Sequence, residues 1–330
     1  MSKMTNSFGD GWRNLYLLIP VILGVAMGVY FVPLLYKKLP SDYVRTRLIL
    51  EALAPSNQEK PDIIIFGSSV AMASVNGNVL MDSLGGVAYN LASTGQSFPE
   101  SLLYYSKINR PTAVVVQFVG VDELINKPVL EKQKIRNFRL YGYTADQETN
   151  KLLAPIDVHY LHSSFLKIKV DSRALISNSI NRVARGLLRK DLNLSDLNSE
   201  LFYPTPYTVR LPKVKYDALI KEYNPKEKID AINLDSSFVN LCKNADDFLF
   251  RRGVKFFLVI NPTNPSLTNY TPALGRKIDL AMANCGFRHL NYLNFFSLLE
   301  DKDFIDNCHP APAGANKITQ ELFLQLNIKN

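Results

Sequence analysis

Pro61-Asp-Ile-Ile-Ile-Phe-Gly-Ser-Ser-Val70 is the stretch on which the fold reading turns. Its four consecutive large apolar residues, Ile63 to Phe66, have the length of a strand buried on both faces, as in a parallel sheet. Gly67 ends the run and tolerates a tight backbone approach. Ser68 and Ser69 then stand where the chain leaves the sheet, at the carboxyl end of a strand. Open α/β sheets build their ligand sites at that edge. Taken alone, Gly-Ser-Ser reads first as a turn with two helix-capping hydroxyls. A chemical reading needs a partner elsewhere in the chain.

Working outward, the same rhythm continues. Asn76 to Leu84 predicts a short helix stopped by Gly85-Gly86, and Val87 to Leu91 a second strand. Pro99 falls where a first helical turn begins, with Glu100 favourable beside the helix dipole, and that helix runs to about Ile108. Ala113 to Phe118 is the next buried strand. Alternation at this spacing implies right-handed crossovers and a doubly wound sheet. The rhythm is lost from about 124 to 245 and resumes at Phe248. Val254 to Ile260 then reads as a strand, broken at the same edge by Asn261-Pro-Thr-Asn-Pro265. Leu274 to Cys285 suits a helix, Phe287 to Tyr292 a strand that takes in His289 as a packing residue, and Ala313 to Leu326 a last helix.

The partner for the serines lies near the end, in Asp306-Asn-Cys-His-Pro310, followed by Ala313-Gly-Ala315. Asp and His three apart can share one side of a turn, so that the carboxylate holds one ring nitrogen and leaves the other free as a base. A serine after a first strand and Asp-x-x-His near the end together resemble the SGNH (GDSL-type) hydrolase family. Asn90-Leu-Ala-Ser-Thr-Gly95 looks like its second block, in which a glycine N–H joins the oxyanion hole. Val114 to Glu123 looks like the third, with Asp122 where the family usually has Asn.

The resemblance implies Ser69 as nucleophile, as third residue of the Gly-x-Ser triplet, with His309 as base and Asp306 orienting the imidazole. It further implies that the N–H groups of Ser69 and Gly95 receive the oxyanion. A carboxylate from Asp122 in that hole would repel the developing charge, where one lost donor costs about 3–4 kcal/mol. Asn90 or Gln96 is the candidate substitute donor.

The implied fold is a three-layer α/β domain with a doubly wound parallel sheet, one N-terminal transmembrane helix and a central insertion. The expected divisions are a tail at 1–13, an anchor at 14–36, a linker at 37–60 that opens on a helix, and an SGNH-like domain at 61–330 with its insertion at about 124–245. Asn14 to Tyr36 carries no charge and is long enough to cross a bilayer, with Trp12, Tyr16, Tyr30 and Tyr36 toward its ends. The competing reading as a cleaved signal peptide has an overlong apolar core and no good cleavage site. Lys37, Lys38, Arg45 and Arg47 follow the anchor, against Lys3 and Arg13 before it, and a positive-inside count would keep the domain in the cytoplasm. The resemblance instead implies an extracytoplasmic, single-pass protein of the cytoplasmic membrane.

Within the family, the anchor, the Gly-Ser-Ser variant and the Asn-Pro-x-Asn-Pro turn look like accessory proteins of surface-polymer acylation. Those resembled are the teichoic-acid D-alanylation and alginate O-acetylation types. This implies acyl transfer to a glycan or related polymer beside a multi-spanning membrane O-acyltransferase. The alternatives are an extracytoplasmic esterase or lipase using water, and a non-catalytic subunit of an acylation complex.

Composition sets the remaining bounds. The 330 residues are 47% hydrophobic, ample for one large core, and the net charge of +8 favours anionic neighbours. No zinc-finger spacing or aromatic RNA-binding motif accompanies that charge, which makes nucleic acid the poorer partner. Three scattered cysteines, Cys242, Cys285 and Cys308, make no disulfide framework, though one pair could form outside the cytoplasm. Cys308 reads as structural, because adjacent side chains diverge from His309. His159 and His162 lack further ligands and make a poor zinc site, so neither metal nor cofactor is expected. Arg136 to Tyr143 is hairpin-like, and Ser172 to Leu188 has helical apolar spacing with Arg182 and Arg185 beside it. That helix covers a core or rests on a membrane or a partner.

Overall fold

Ile63–Phe66 forms β1, and all four side chains are buried. A strand with no solvent-facing side needs cover on both faces, and each such side chain contributes about 1.5–3 kcal/mol when fully buried. The structure is a computed structural model, describing residues 19–20, 22–24, 44–54, 61–108, 112–132, 134–135, 138, 145–156, 201–204, 217–218 and 228–328. The chain divides into two compact units, and the larger, residues 45–134, 145–158 and 193–330, contains the sheet and its helices.

In chain order the elements are α1 (Val44–Ala52), β1, α2 (Ser69–Ser74), α3 (Gly77–Leu84), β2 (Ala88–Asn90), α4 (Phe98–Tyr105), β3 (Val114–Val119), α5 (Val121–Ile125), α6 (Gln147–Leu152), α7 (Ser236–Phe250), β4 (Lys255–Ile260), α8 (Leu274–Ala283), β5 (Asn291–Asn294) and α9 (Pro312–Ile328). The five strands are all parallel, in the order β2-β1-β3-β4-β5. Ile63 pairs with both Ala88 and Val114, and Val114 with Lys255, so the first four strands start level, while β5 begins two residues further along, with Asn291 opposite Phe257. The order reverses between β1 and β3, and the crevice beyond the carboxyl ends of such strands is where doubly wound sheets bind ligands.

Helices cover both faces, an arrangement compatible with a three-layer α/β fold. On one face Ile63, Ile65, Val116, Phe118 and Val259 pack with Ala71, Leu80, Ile318 and Leu322 from α2, α3 and α9. On the other, Phe66 stacks on Tyr104 of α4 with ring centroids 6.2 Å apart, and Tyr105 meets Phe256 edge-on. Gln117 points into this apolar layer, and Tyr105 Oη–H donates to its Oε1 at 3.1 Å.

Most expected boundaries fall within a residue or two of the observed ones; α4 ends at Tyr105, three short of the expected Ile108, and three differences are larger. α7 starts at Ser236, inside the stretch expected to be irregular, because Asp235 caps it and Phe238, Leu241, Cys242, Ala245 and Leu249 bury one stripe. β5 starts at Asn291, later than expected: Asp246 Oδ2 accepts the N–H groups of Arg288 and His289 and bends the chain there. His289 thus precedes the strand and stacks flat on Phe250. The third is α2, which follows Ser68 directly where no helix was expected. The hairpin-like piece, the basic amphipathic helix and the His159–His162 pair lie largely or wholly outside the described residues. So does most of the anchor, of which Ile19, Ile22 and Leu23 are helical and exposed. Among the described residues no helix is long and apolar enough to cross a membrane.

Candidate active site

The turn after β1 is built around a backbone that only glycine adopts comfortably. Gly67 has φ +148°, and a Cβ there would stand 2.8 Å from both Ala71 Cβ and Phe118 Cβ. Its N–H donates to Gln96 Oε1 at 2.8 Å, and its carbonyl accepts from Ser93 N at 3.0 Å, which anchors the turn to the loop after β2. The two serines divide the work. Ser68 is the N-cap of α2 and accepts from Val70 N, whereas Ser69, the first helical residue, turns its hydroxyl toward the end of the chain. Ser69 Oγ lies 2.8 Å from His309 Nε2.

The loop that carries the histidine is closed on itself. Ile305 N donates to His309 O, Phe304 bridges Pro310, and Ala311 N donates to Asp303 O at 2.6 Å. Gly314 at the start of α9 permits this closure, since a Cβ there would fall 2.4 Å from Asp303 O. Asp306 Oδ1 accepts the N–H groups of Cys308 (3.0 Å) and His309 (2.7 Å), and its Oδ2 lies 2.8 Å from His309 Nδ1. Asn264, fully buried, donates to the Asp306 carbonyl at 2.8 Å, pinning the loop to the segment after β4. Thr319 of α9 donates to Ser74 O at 3.0 Å and accepts from Asn76 N at 3.1 Å, which docks the last helix against α2 and α3.

The electrostatics follow from these contacts. Partial burial pushes the Asp306 carboxyl up. The His309 ring and the two backbone N–H groups outweigh that and hold it below the usual carboxylate range. The hydrogen bond to Asp306 pushes His309 up, to about 10, with Cys308 as the next contributor. Nδ1 has one proton to give, and Asp306 Oδ2 at 2.8 Å takes it ahead of Cys308 Sγ at 3.6 Å, so the carboxylate is the cause that matters. Asp306, Cys308 and His309 also form a group of metal-ligand type, with ligand atoms within 4.8 Å of one another. A cation there would compete with the Asp306–His309 bond for the same atoms.

The expected oxyanion residues separate into different roles. Ser69 N stands at the first helical position, where a backbone N–H has no acceptor within the helix. Gly95 lies exposed on the loop after β2 with φ +65°. Asn90 and Gln96, the candidate substitute donors, are instead committed to the main chain. Asn90 Nδ2 donates to Ala71 O and Val75 O, and Gln96 Nε2 to Leu91 O, because a buried amide must find partners. Asp122 is exposed, and its Oδ1 accepts the Tyr270 hydroxyl. Its neighbour Glu123 accepts from Gly120 N and Phe98 N, and burial pushes its carboxyl up to about 7.

A cleft of about 800 Å³ opens along this edge, lined by Val70 and Cys308, the neighbours of Ser69 and His309, and by Asp306, Asp122, Asn261 and Tyr270 among others. Asn264, Thr319 and Tyr270 were not singled out from the sequence. Asn264 had a signal, a polar residue between prolines just after a buried strand; Thr319 and Tyr270 had none. No protein-family model matches the chain, and no curated protein matches it significantly.

Proposed function

We propose that the protein is a serine-dependent acyltransferase or esterase acting on acyl groups of a cell-surface polysaccharide or related polymer. The observation that carries this reading is the unbroken hydrogen-bonded path from Ser69 Oγ through the His309 ring to Asp306, 2.8 Å at each step. A serine hydroxyl is a weak nucleophile until a base takes its proton. Here the base is His309 Nε2, oriented by a carboxylate that stabilises the imidazolium once formed. Ser69 Oγ attacks the acyl carbonyl and forms an ester, the leaving alcohol takes the proton back from His309, and a second hydroxyl then accepts the acyl group by the reverse steps. That hydroxyl is a glycan's in transfer and water's in hydrolysis.

The strand order, the helices on both faces and the spacing of the quoted blocks support an SGNH-type, doubly wound domain. Tyr270's hold on Asp122 supports catalysis over a purely structural role, since it gives the carboxylate at the altered block position a partner of its own. The exposed aliphatic side chains of Ile19, Ile22 and Leu23 on a helix support an N-terminal membrane anchor. The family resemblance alone is the support for an extracytoplasmic domain beside a multi-spanning acyltransferase.

A fluorophosphonate probe on the purified protein tests the nucleophile. Labelling that survives Ser68→Ala and disappears in Ser69→Ala is the expected result; a folded wild-type protein that takes no label refutes it. Acetyl release to water measured against transfer to an added glycan then separates hydrolysis from transfer.

A further inference from the structure

Asn261 follows β4 directly, and its side chain has no use in the account so far. Its main-chain N–H donates to Val119 O at 2.8 Å, which continues the β3–β4 ladder past the Val119–Ile260 pair. Only 8% of the residue is exposed. Yet Oδ1 is shut off from solvent with no hydrogen-bond partner, and Nδ2 has none either among the described residues. Buried side-chain polar atoms are nearly always paired, and an orphan at a cleft wall calls for a reason. Asn261 lines the cleft beside the Ser69–His309 pair, and its Nδ2 reaches over Gly120, 3.9 Å from where a Cβ would stand.

The cleft gives the geometry. Val119 pairs with Ile260, so Gly120 and Asn261 stand level just past the carboxyl ends of β3 and β4. Beyond β1 the chain turns at Gly67 into α2, and Val70, next to Ser69, shares the cleft wall with Gly120, Asn261 and Cys308, next to His309. Gly120 has no side chain to screen the Asn261 amide from that space.

We propose that Asn261 supplies the side-chain donor of the oxyanion hole, from the end of β4, the strand beside β3, whose following helix α5 carries Asp122. This rests on Ser69 being the nucleophile. As Ser69 Oγ bonds to the acyl carbon, the carbonyl π pair moves onto its oxygen and the hydroxyl proton passes to His309 Nε2. Asn261 Nδ2 and the Ser69 N–H then bind that oxygen. Oδ1, the amide's other half, stays in the wall behind the donor, shut off from solvent.

The test uses the full chain with p-nitrophenyl acetate and the fluorophosphonate probe, comparing wild type, Asn261→Ala, Asn261→Asp and Ser69→Ala. Removing one such donor is expected to lower kcat by about 10²–10³-fold with KM little changed. Asn261→Asp, which sets a carboxylate against the oxyanion, falls at least as far at unchanged melting temperature. If Ser69→Ala is inactive while Asn261→Ala stays within about threefold of wild type, the donor assignment is overturned and the nucleophile stands. If wild type neither labels nor turns over, both fall together. Should Asn261→Ala not fold, the near-isosteric Asn261→Asp decides by the same criterion.

Discussion

Replacing Asp306 with asparagine keeps the shape of the loop and changes one proton. The Oδ1 atom can still accept from Cys308 N and His309 N, so the turn survives. The NH2 group, however, now faces His309 Nδ1, which must give up its proton to accept, and Nε2 then carries the hydrogen toward Ser69. The imidazole is left in the tautomer that cannot take the serine proton, a change that costs about 10⁴-fold in kcat in triads of this kind, or about 5.5 kcal/mol of barrier. A second consequence concerns pH. Asp306 is the largest cause of the rise of His309 from 6.5 to about 10. Only the neutral ring is a base, so wild-type labelling and ester turnover climb with pH above neutrality, and in Asp306→Asn the residual activity reaches its plateau at lower pH. Stability runs the other way. A raised histidine contributes stability that is complete below its unfolded value and lost as pH rises through its folded one. Wild type therefore melts at progressively lower temperature between about pH 6.5 and 10 through this group, a slope that Asp306→Asn loses. Rate–pH profiles and calorimetric melts on both proteins are the assays. An Asp306→Asn enzyme with undiminished kcat, or with its alkaline limb unmoved, refutes the reasoning.

Two further substitutions probe the scaffold. Gly67→Ala puts a methyl group 2.8 Å from two Cβ atoms at φ +148°, and should cost at least about 2 kcal/mol, read as a lowered denaturation midpoint, with loss of labelling. Asn264→Ala frees the Asp306 loop from the segment after β4, and should lower kcat by up to about 10²-fold with the melting temperature less affected. Steady-state kinetics beside a thermal melt separates the two effects.

The sheet was legible because its central strands are dry on both sides. Ile63–Phe66 and Phe256–Ile260 are continuous apolar runs, and Val114–Val119 is one but for Gln117; each is ended by a glycine or proline signal, and burial reads directly as composition. Helix starts were legible where a local signal marks them, as at Asn76, whose side chain caps α3, and at Pro99 in the first turn of α4. The start of β5 was not, because a distant carboxylate, Asp246, sets it. The meeting of Ser69 with His309 rested on spacing within two short motifs and on fold order, neither of which carries a distance. The fates of Asn90 and Gln96 were hidden for another reason: a polar side chain near a glycine turn looks the same whether it faces a substrate or a carbonyl of its own chain. Asp306's hold on the His309 ring followed from the three-residue offset, whereas Asn264's hold on Asp306 spans 42 positions.

Thr319, which ties α9 to both Ser74 and Asn76, also bears on how the protein comes into being. The hydroxyl and its base are 240 positions apart, so a growing chain exposes the serine long before the imidazole has been synthesised. Until the His309 loop docks, the Ser69 hydroxyl has no base hydrogen-bonded to it. On the proposed mechanism assembly thus acts as a timer: reactivity waits for the loop to meet α2, and a product truncated before His309 is expected to take no fluorophosphonate label.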